Sequence, residues 1–351
     1  MMRLWLTPYF HPTVCLAVGS NPALLSAAVL AVSKKYDVDI ASDWPTAKSR
    51  LHRLNETFES VVSRCLPANA LSLDDKLHDQ TLRGFKPDGS LARAHMRDPN
   101  RSQKVSVVMI VGSPDDTEVR DFALETARFP VRRLLIADRR ETDSAISALN
   151  HRCVDSLLFS DQISIADSLD VEIRRLQTEY FKCSMKFLGA AFSTGDTAFL
   201  RNAEFQEYFH RLLADHDVTE YYVSSNPAGV LLVKVTGEQA FLMSCNEESR
   251  RAHSEIAASE EAPRELLSLL ASDEVVAYFP TEHGFYMRNE VRKWRDWVWI
   301  NMRSFATEGW RHYLLPQSRR TQHIFDRVSG GSERTAVSDA GPPLQIKKSM
   351  L

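Results

Sequence analysis

Long apolar runs are missing from this chain of 351 residues. No window approaches the ~20 uninterrupted apolar residues that a membrane span needs, so no membrane association is expected. Neither sign of charge dominates: a formal net charge of −3 argues against a mainly electrostatic, non-specific nucleic-acid binder. The five cysteines, Cys15, Cys65, Cys153, Cys183 and Cys245, are scattered singly. With no CxxC and no Cys/His pair at ligand spacing, neither a zinc site nor a disulfide framework is indicated. Walker A, dinucleotide and G-x-S-x-G signatures are also lacking, as are internal repeats and low-complexity blocks. The opening MMRLWLTPYFHP lacks the long apolar region and small-residue cleavage site of a secretory leader, and a cytoplasmic protein is expected. What remains is an ordinary globular composition, 44% apolar and 25% charged, long enough for about two domains.

The residues present organise around VSVVMIVGS, Val105–Ser113. This β-branched apolar run, closed by Gly-Ser-Pro, suits a strand buried on both faces of a parallel sheet. Before it, residues 1–13 read as an irregular arm. Val14–Val18 reads as a strand, and a helix capped by Asn21 with Pro22 at its first position runs to Lys34. Tyr36–Ala41 is a second strand and Trp44–Glu56 an amphipathic helix. Residues 57–104 are a long insertion of unassigned role. After it, Asp115–Arg128, Arg132–Ala137, Glu141–His151 and Asp155–Phe159 alternate helix and strand. Five βα units over 14–162 predict an α/β, doubly wound, flavodoxin/receiver-like domain. In such sheets ligands gather outside the carboxyl ends of the strands, here near Val111–Ser113, where no functional group stands.

A final helix starts near Ile163 and continues as a linker through 163–192. Leu169, Ile173, Leu176, Tyr180, Cys183 and Phe187 recur on it at a period of 3.5 residues, the spacing of either a dimer seam or a helix packed on its own domains. Gly189–Asp196 reads as a hinge. Residues 193–328 are expected to form an α+β domain. It comprises a helix over Thr197–Asp215, an antiparallel meander of Glu220–Ser224, Gly229–Thr236 and Gln239–Ser244, a helix over Glu247–Ser272 interrupted by Pro263, and a fourth strand at Val275–Phe279. The polar tail 329–351 is expected to be disordered.

The segment VSVVMIVGSPDDTEVRDFALETARFPVRRLLIADRRETDSAISALNHRCVDSLLFSDQ resembles the second half of a two-component receiver domain. With IRRLQTEYF, RDPNRSQKVSVV and VTEYYVSSNPAGVLLVKVTGEQAFLM, the chain over roughly 13–315 is similar to the quorum-sensing response regulators that accompany autoinducer synthases and sensor kinases. The resemblance implies a scaffold on which a strand-end aspartate accepts a phosphoryl group. Acidic residues hold Mg²⁺ beside it, and a hydroxyl and a lysine meet the phosphoryl oxygens. Carried over by position, the acidic pair falls on Gly19 with Ser20 or Asn21, the acceptor on Val111, the hydroxyl on Ala137 and the lysine on Ser160. None matches. The resemblance therefore implies a pseudo-receiver that uses no cofactor and is not an enzyme. It would act through a sensor histidine kinase or another signalling protein, and as a homodimer.

Displaced aspartates are the alternative acceptors: Asp115, Asp116, Asp138 and Asp161, of which Asp115 or Asp116 reads as a helix cap. Two further readings of function stay open. One is a small-molecule or nucleotide-sensing module in the C-terminal domain, with the receiver scaffold as a dimerisation platform; the other is a DNA-binding output. His210, Asp215, His216 and Asp217 form either a metal pair or a solvated helix end. Arg288, Arg292, Lys293, Trp294 and Arg295 form either a partner surface or an amphipathic helix with Trp294 and Trp297 in the core.

Overall fold

The computed structural model describes residues 6–7, 9–55, 96–162, 164–188, 195–272, 275–300, 302 and 304–329. Most of the insertion, the hinge centre and the tail from 330 onward lie outside these described residues.

The first domain is a five-stranded parallel sheet built from β2 (Val14–Gly19), β3 (Asp37–Ile40), β4 (Val105–Val111), β5 (Arg132–Ala137) and β6 (Ser156–Phe159), in the order β3-β2-β4-β5-β6. Helices α1 (Pro22–Val32), α2 (Trp44–Leu54), α3 (Thr117–Thr126) and α4 (Thr142–Asn150) alternate with the strands, as the βα pattern predicts. Each central strand feeds both faces by its two-residue alternation. Val107, Met109 and Val111 pack toward α1 and the long helix α5 (Ile165–Leu188), whereas Val108 and Ile110 pack toward α2 and α3. β4 is therefore buried at every position, which explains why its sequence is apolar throughout except at Ser106, whose hydroxyl is paired with Thr13.

On α5, Leu169, Ile173 and Leu176 are completely buried in the core beneath α1, and Tyr180 and Phe181 lie in the core of the second domain. For Leu169, Ile173, Leu176 and Tyr180 the structure takes the second of the two expected readings, a helix packed on its own domains. The period of 3.5 arises because the helix lies along one sheet and then another, so these side chains have no surface left for a second copy. The side chains of Cys183 and Phe187 lie outside the description.

The second domain is a six-stranded antiparallel sheet of β1 (Tyr9–Phe10), β7 (Val218–Ser225), β8 (Ala228–Lys234), β9 (Gln239–Asn246), β12 (Ser304–Thr307) and β13 (Trp310–Pro316). Its order is β1-β7-β8-β9-β13-β12. The meander β7-β8-β9 is as expected, but β1 belongs to the supposedly irregular arm: Tyr9 pairs with Tyr222 and Phe10 with Tyr221. One face is covered by α6 (Ala203–Asp215) and a 3-10 turn at Gly195–Arg201, through Phe199, Phe205 and Phe209. The expected helix over Thr197–Asp215 breaks because the Asn202 side chain accepts from the Phe205 N–H and caps α6 (3.0 Å). The other face carries Phe181, Tyr278, Trp299, Ile324 and Phe325, contributed by α5, the flanking strands and α9 (Gln322–Ser329).

A small layer completes the domain. Pro263 separates α7 (Glu247–Ser259) from α8 (Arg264–Leu270), and β10 (Val275–Ala277) pairs with β11 (Val298–Ile300) rather than joining the meander's sheet. KWRDWVWI is not an amphipathic helix but a 3-10 turn at Trp294–Trp297 running into β11. Its β-branched and aromatic end, VWI, prefers a pleated half-buried surface. Among the described residues no helix is long and apolar enough to cross a membrane.

Candidate functional site

The strand order places the topological switch between β2 and β4, where a doubly wound sheet offers its ligand crevice. The residues that gather there are those expected: Gly19 pairs with Val111, Val111 with Ile136, and Ala137 with Phe159, which precedes Ser160. Ser160 N–H donates to Ala137 O (2.9 Å) and Ser20 N–H to Val111 O (3.2 Å), so these positions share one sheet edge.

That edge is closed by backbone contact. A Cβ on Gly19 would stand 2.1 Å from Val111 O and 2.8 Å from Val111 Cβ, closer than atoms can approach. Only glycine fits, and a carboxylate at 19 would require the strands to part. A Cβ on Gly112 would meet Ser20 Oγ at 2.8 Å, a rotatable hydroxyl that can turn aside, so the next loop is less tightly closed than the strand pair. Val111 has no exposed surface and belongs to the apolar core under α1 and α5.

Asn21 and the four neighbouring aspartates are engaged in local structure. Asn21 Oδ1 caps α1, accepting from Leu24 N–H (3.1 Å). Asp116 caps α3 through Glu118 N–H (2.9 Å), as its position before the helix predicted. Asp115 accepts from Ser144 Oγ (2.7 Å), which tethers the loop to α4. Asp138 caps the turn at Arg139–Glu141 through Arg140 N–H (2.9 Å). Asp161 accepts from Arg139 Nε (2.7 Å), whose guanidinium lies 5.1 Å over the Phe159 ring. The Arg139–Asp161 pair thus spans the ends of β5 and β6 above Ala137 and Ser160.

The remaining candidates separate. Trp294 is buried among Val291, Phe279 and Tyr286, and Arg295 lies over its ring while pairing with Glu265. Arg288 pairs with Glu261, and Arg292 and Lys293 are exposed cations that make no ion pair among the described residues. His216 closes the end of α6 and Asp217 takes a left-handed conformation (φ 49°). Among the described residues no three His, Cys, Asp or Glu side chains converge on one point.

Three polar constellations were not foreseen. Asn55 Nδ2 donates to Val105 O (2.7 Å) while its Oδ1 accepts from Val105 N–H (3.1 Å), so the two ends of the insertion meet at the foot of β4. His312, without exposed surface, sits between Ser244 Oγ (2.9 Å) and Thr307 Oγ1 (3.2 Å); burial holds its pKa down at about 4. Arg101 makes a two-pronged pair with Glu220 (Nε to Oε2 3.0 Å, Nη2 to Oε1 3.2 Å), and Tyr222 OH donates to the same carboxylate (2.9 Å). Only the alternation of WRHYLLP around His312 was a usable signal in sequence. The other two join residues 50 and 119 positions apart.

No protein-family model and no curated protein matches the chain. In structure it is similar to the response regulator LqsR of Legionella pneumophila, with a TM-score of 0.64 and 15% identity, over 95% of this chain and 98% of that one. The fold expected from the resemblance is thus shared across both domains. An adenylate cyclase from Rhodopirellula baltica aligns over 50% of this chain and 94% of its own at 12% identity, with a TM-score of 0.31, too low to indicate a common fold.

Proposed function

We propose that this chain is a response-regulator homologue that signals without accepting a phosphoryl group. It would act in the cytoplasm through protein–protein contacts, with a sensor histidine kinase or another signalling protein as partner, and it carries out no catalysis. One observation carries this reading: at the switch point the backbone of Val111 fills the space that a side chain at 19 would need. A phosphoryl acceptor requires a carboxylate nucleophile together with acidic oxygens for a hard cation. An acidic side chain at 19 has no room and the acceptor position holds a buried valine, while Asp116 and Asp138 are held in caps, Asp161 in an ion pair with Arg139 and Asp115 by the Ser144 hydroxyl. A homodimer belongs to the proposal only through a surface other than the buried face of α5.

The test is incubation of the full chain with acetyl phosphate and Mg²⁺, followed by intact-mass and peptide mass spectrometry. No stable +80 Da species is expected, +80 Da being roughly the mass of one added phosphoryl group. Stoichiometric label on any single aspartate overturns the reading.

A further inference from the structure

The second domain docks at the end of the parallel sheet opposite the switch point. Three passes of the chain show this. β1 pairs with β7 just before β2 begins at Val14. The turn Arg101–Gln103 lies just before β4 begins at Val105. Helix α5 runs back along the sheet and delivers Tyr180 and Phe181 to the second core. Polar contacts stitch the same level. Gln177 Nε2 donates to Thr13 Oγ1 (3.2 Å), which shares a hydrogen bond with Ser106 Oγ (2.6 Å). At the centre of this junction stands the Arg101–Glu220–Tyr222 triad, with Glu220 only 12% exposed.

We propose that Arg101, Glu220 and Tyr222 form a latch that holds the two domains as one unit, and that its strength sets the balance between docked and undocked arrangements.

The chemistry favours this role over that of an ordinary surface pair. The contact is bidentate, part-buried and joins elements 119 residues apart; such a pair is geometrically specific and stronger than a single exposed one. Burial alone would lower the pKa of Arg101, but the hydrogen bonds to Glu220 and the charge of that carboxylate raise it, so the guanidinium stays charged in the junction. Glu220 follows directly on a register shift in β7, a feature that re-aims a side chain away from the regular ladder. Arg101 also donates to the carbonyls of Met96 and Asp98 (both 3.4 Å), and Met96 packs on the second core, so the turn arrives pre-shaped for the contact. The latch is independent of whether any aspartate can be phosphorylated, since it lies at the amino ends of strands whose carboxyl ends form the switch point.

The test is amide hydrogen exchange on the full chain, comparing wild type with Arg101→Ala, Glu220→Gln and the exchanged pair Arg101→Glu/Glu220→Arg. Opening of the junction should speed exchange at the β1–β7 ladder, residues 9–10 and 221–222, by about tenfold or more in both single variants. Tenfold is the order expected when a charge-assisted hydrogen bond is lost from a local opening equilibrium. The β8–β9 ladder should keep its wild-type protection, and the exchanged pair should recover part of the loss at β1–β7. If one single variant fails to fold, the other and the exchanged pair still decide. Unchanged β1–β7 exchange in a folded single variant overturns the latch. So does a rise spread equally over β8–β9, which would report general destabilisation.

Discussion

Placing an aspartate at the strand end, Val111→Asp, is the sharpest probe of the closed switch point. Val111 has no exposed surface, so the exchange forfeits its burial, about 1.5–3 kcal/mol. The new carboxyl must also stay neutral or pay for a charge with no partner, so its folded-state pKa rises. For an acid with a raised folded pKa, the unfolded chain ionises first. Stability therefore falls as pH climbs above the unfolded value near ~3.9, by about 1.36 kcal/mol per pH unit until the folded pKa is reached. At pH 7 this adds up to about 4 kcal/mol, for a total of roughly 5–7 against a typical domain stability of about 5–15 kcal/mol. The assay is urea unfolding of Val111→Asp, Val111→Asn and wild type from pH 4.5 to 8, read as differences from wild type at each pH. The aspartate variant should lose ground steadily with rising pH, whereas the asparagine variant should show a constant deficit. Acetyl phosphate should label neither. A Val111→Asp protein that is as stable as wild type at pH 7 would mean that the side chain reaches water, and the packing argument would fail.

Asn55→Ala removes both hydrogen bonds to the Val105 backbone and leaves two buried groups unpaired, at about 1–3 kcal/mol each; the urea midpoint should fall with an unchanged m-value. Ile173→Ala should cost about 2–5 kcal/mol because the side chain is wholly internal, and light scattering should show the oligomeric state unmoved. His11 and His312 are held neutral by burial at about 4. Their depressed folded values mean that stability is full above the unfolded value of 6.5 and is lost as pH falls toward about 4. The melting temperature should drop over that window, and His312→Gln should flatten the drop while lowering stability at pH 7.

The parallel domain was legible because its signals are local. β4 reads as an apolar run since both its faces are covered, and Asn21 and Asp116 read as caps because each bonds a backbone N–H within three residues. That Gly19, Val111, Ala137 and Ser160 are not the residues the resemblance implies at those positions was likewise readable, by position alone. The meander β7-β8-β9 follows from turn pairs between alternating strands, and its boundaries shift by only a residue or two.

Tertiary structure decided what periodicity leaves ambiguous. Leu169, Ile173, Leu176 and Tyr180 repeat as a coiled-coil seam would, yet the repeat only states that one helix face is dry. Which surface dries it depends on two sheets distant in sequence. Tyr9 and Phe10 are too few to signal a strand and become one only because β7 offers an open edge. Trp294 and Trp297 fit a helical face as well as a turn entering β11, until pairing with β10 selects the latter. Gly19 shows both levels at once. Its identity announced that no carboxylate stood there; only the 2.1 Å approach of Val111 O shows that none could, because backbone contact between neighbouring strands depends on register and carries no trace in either residue's own sequence surroundings.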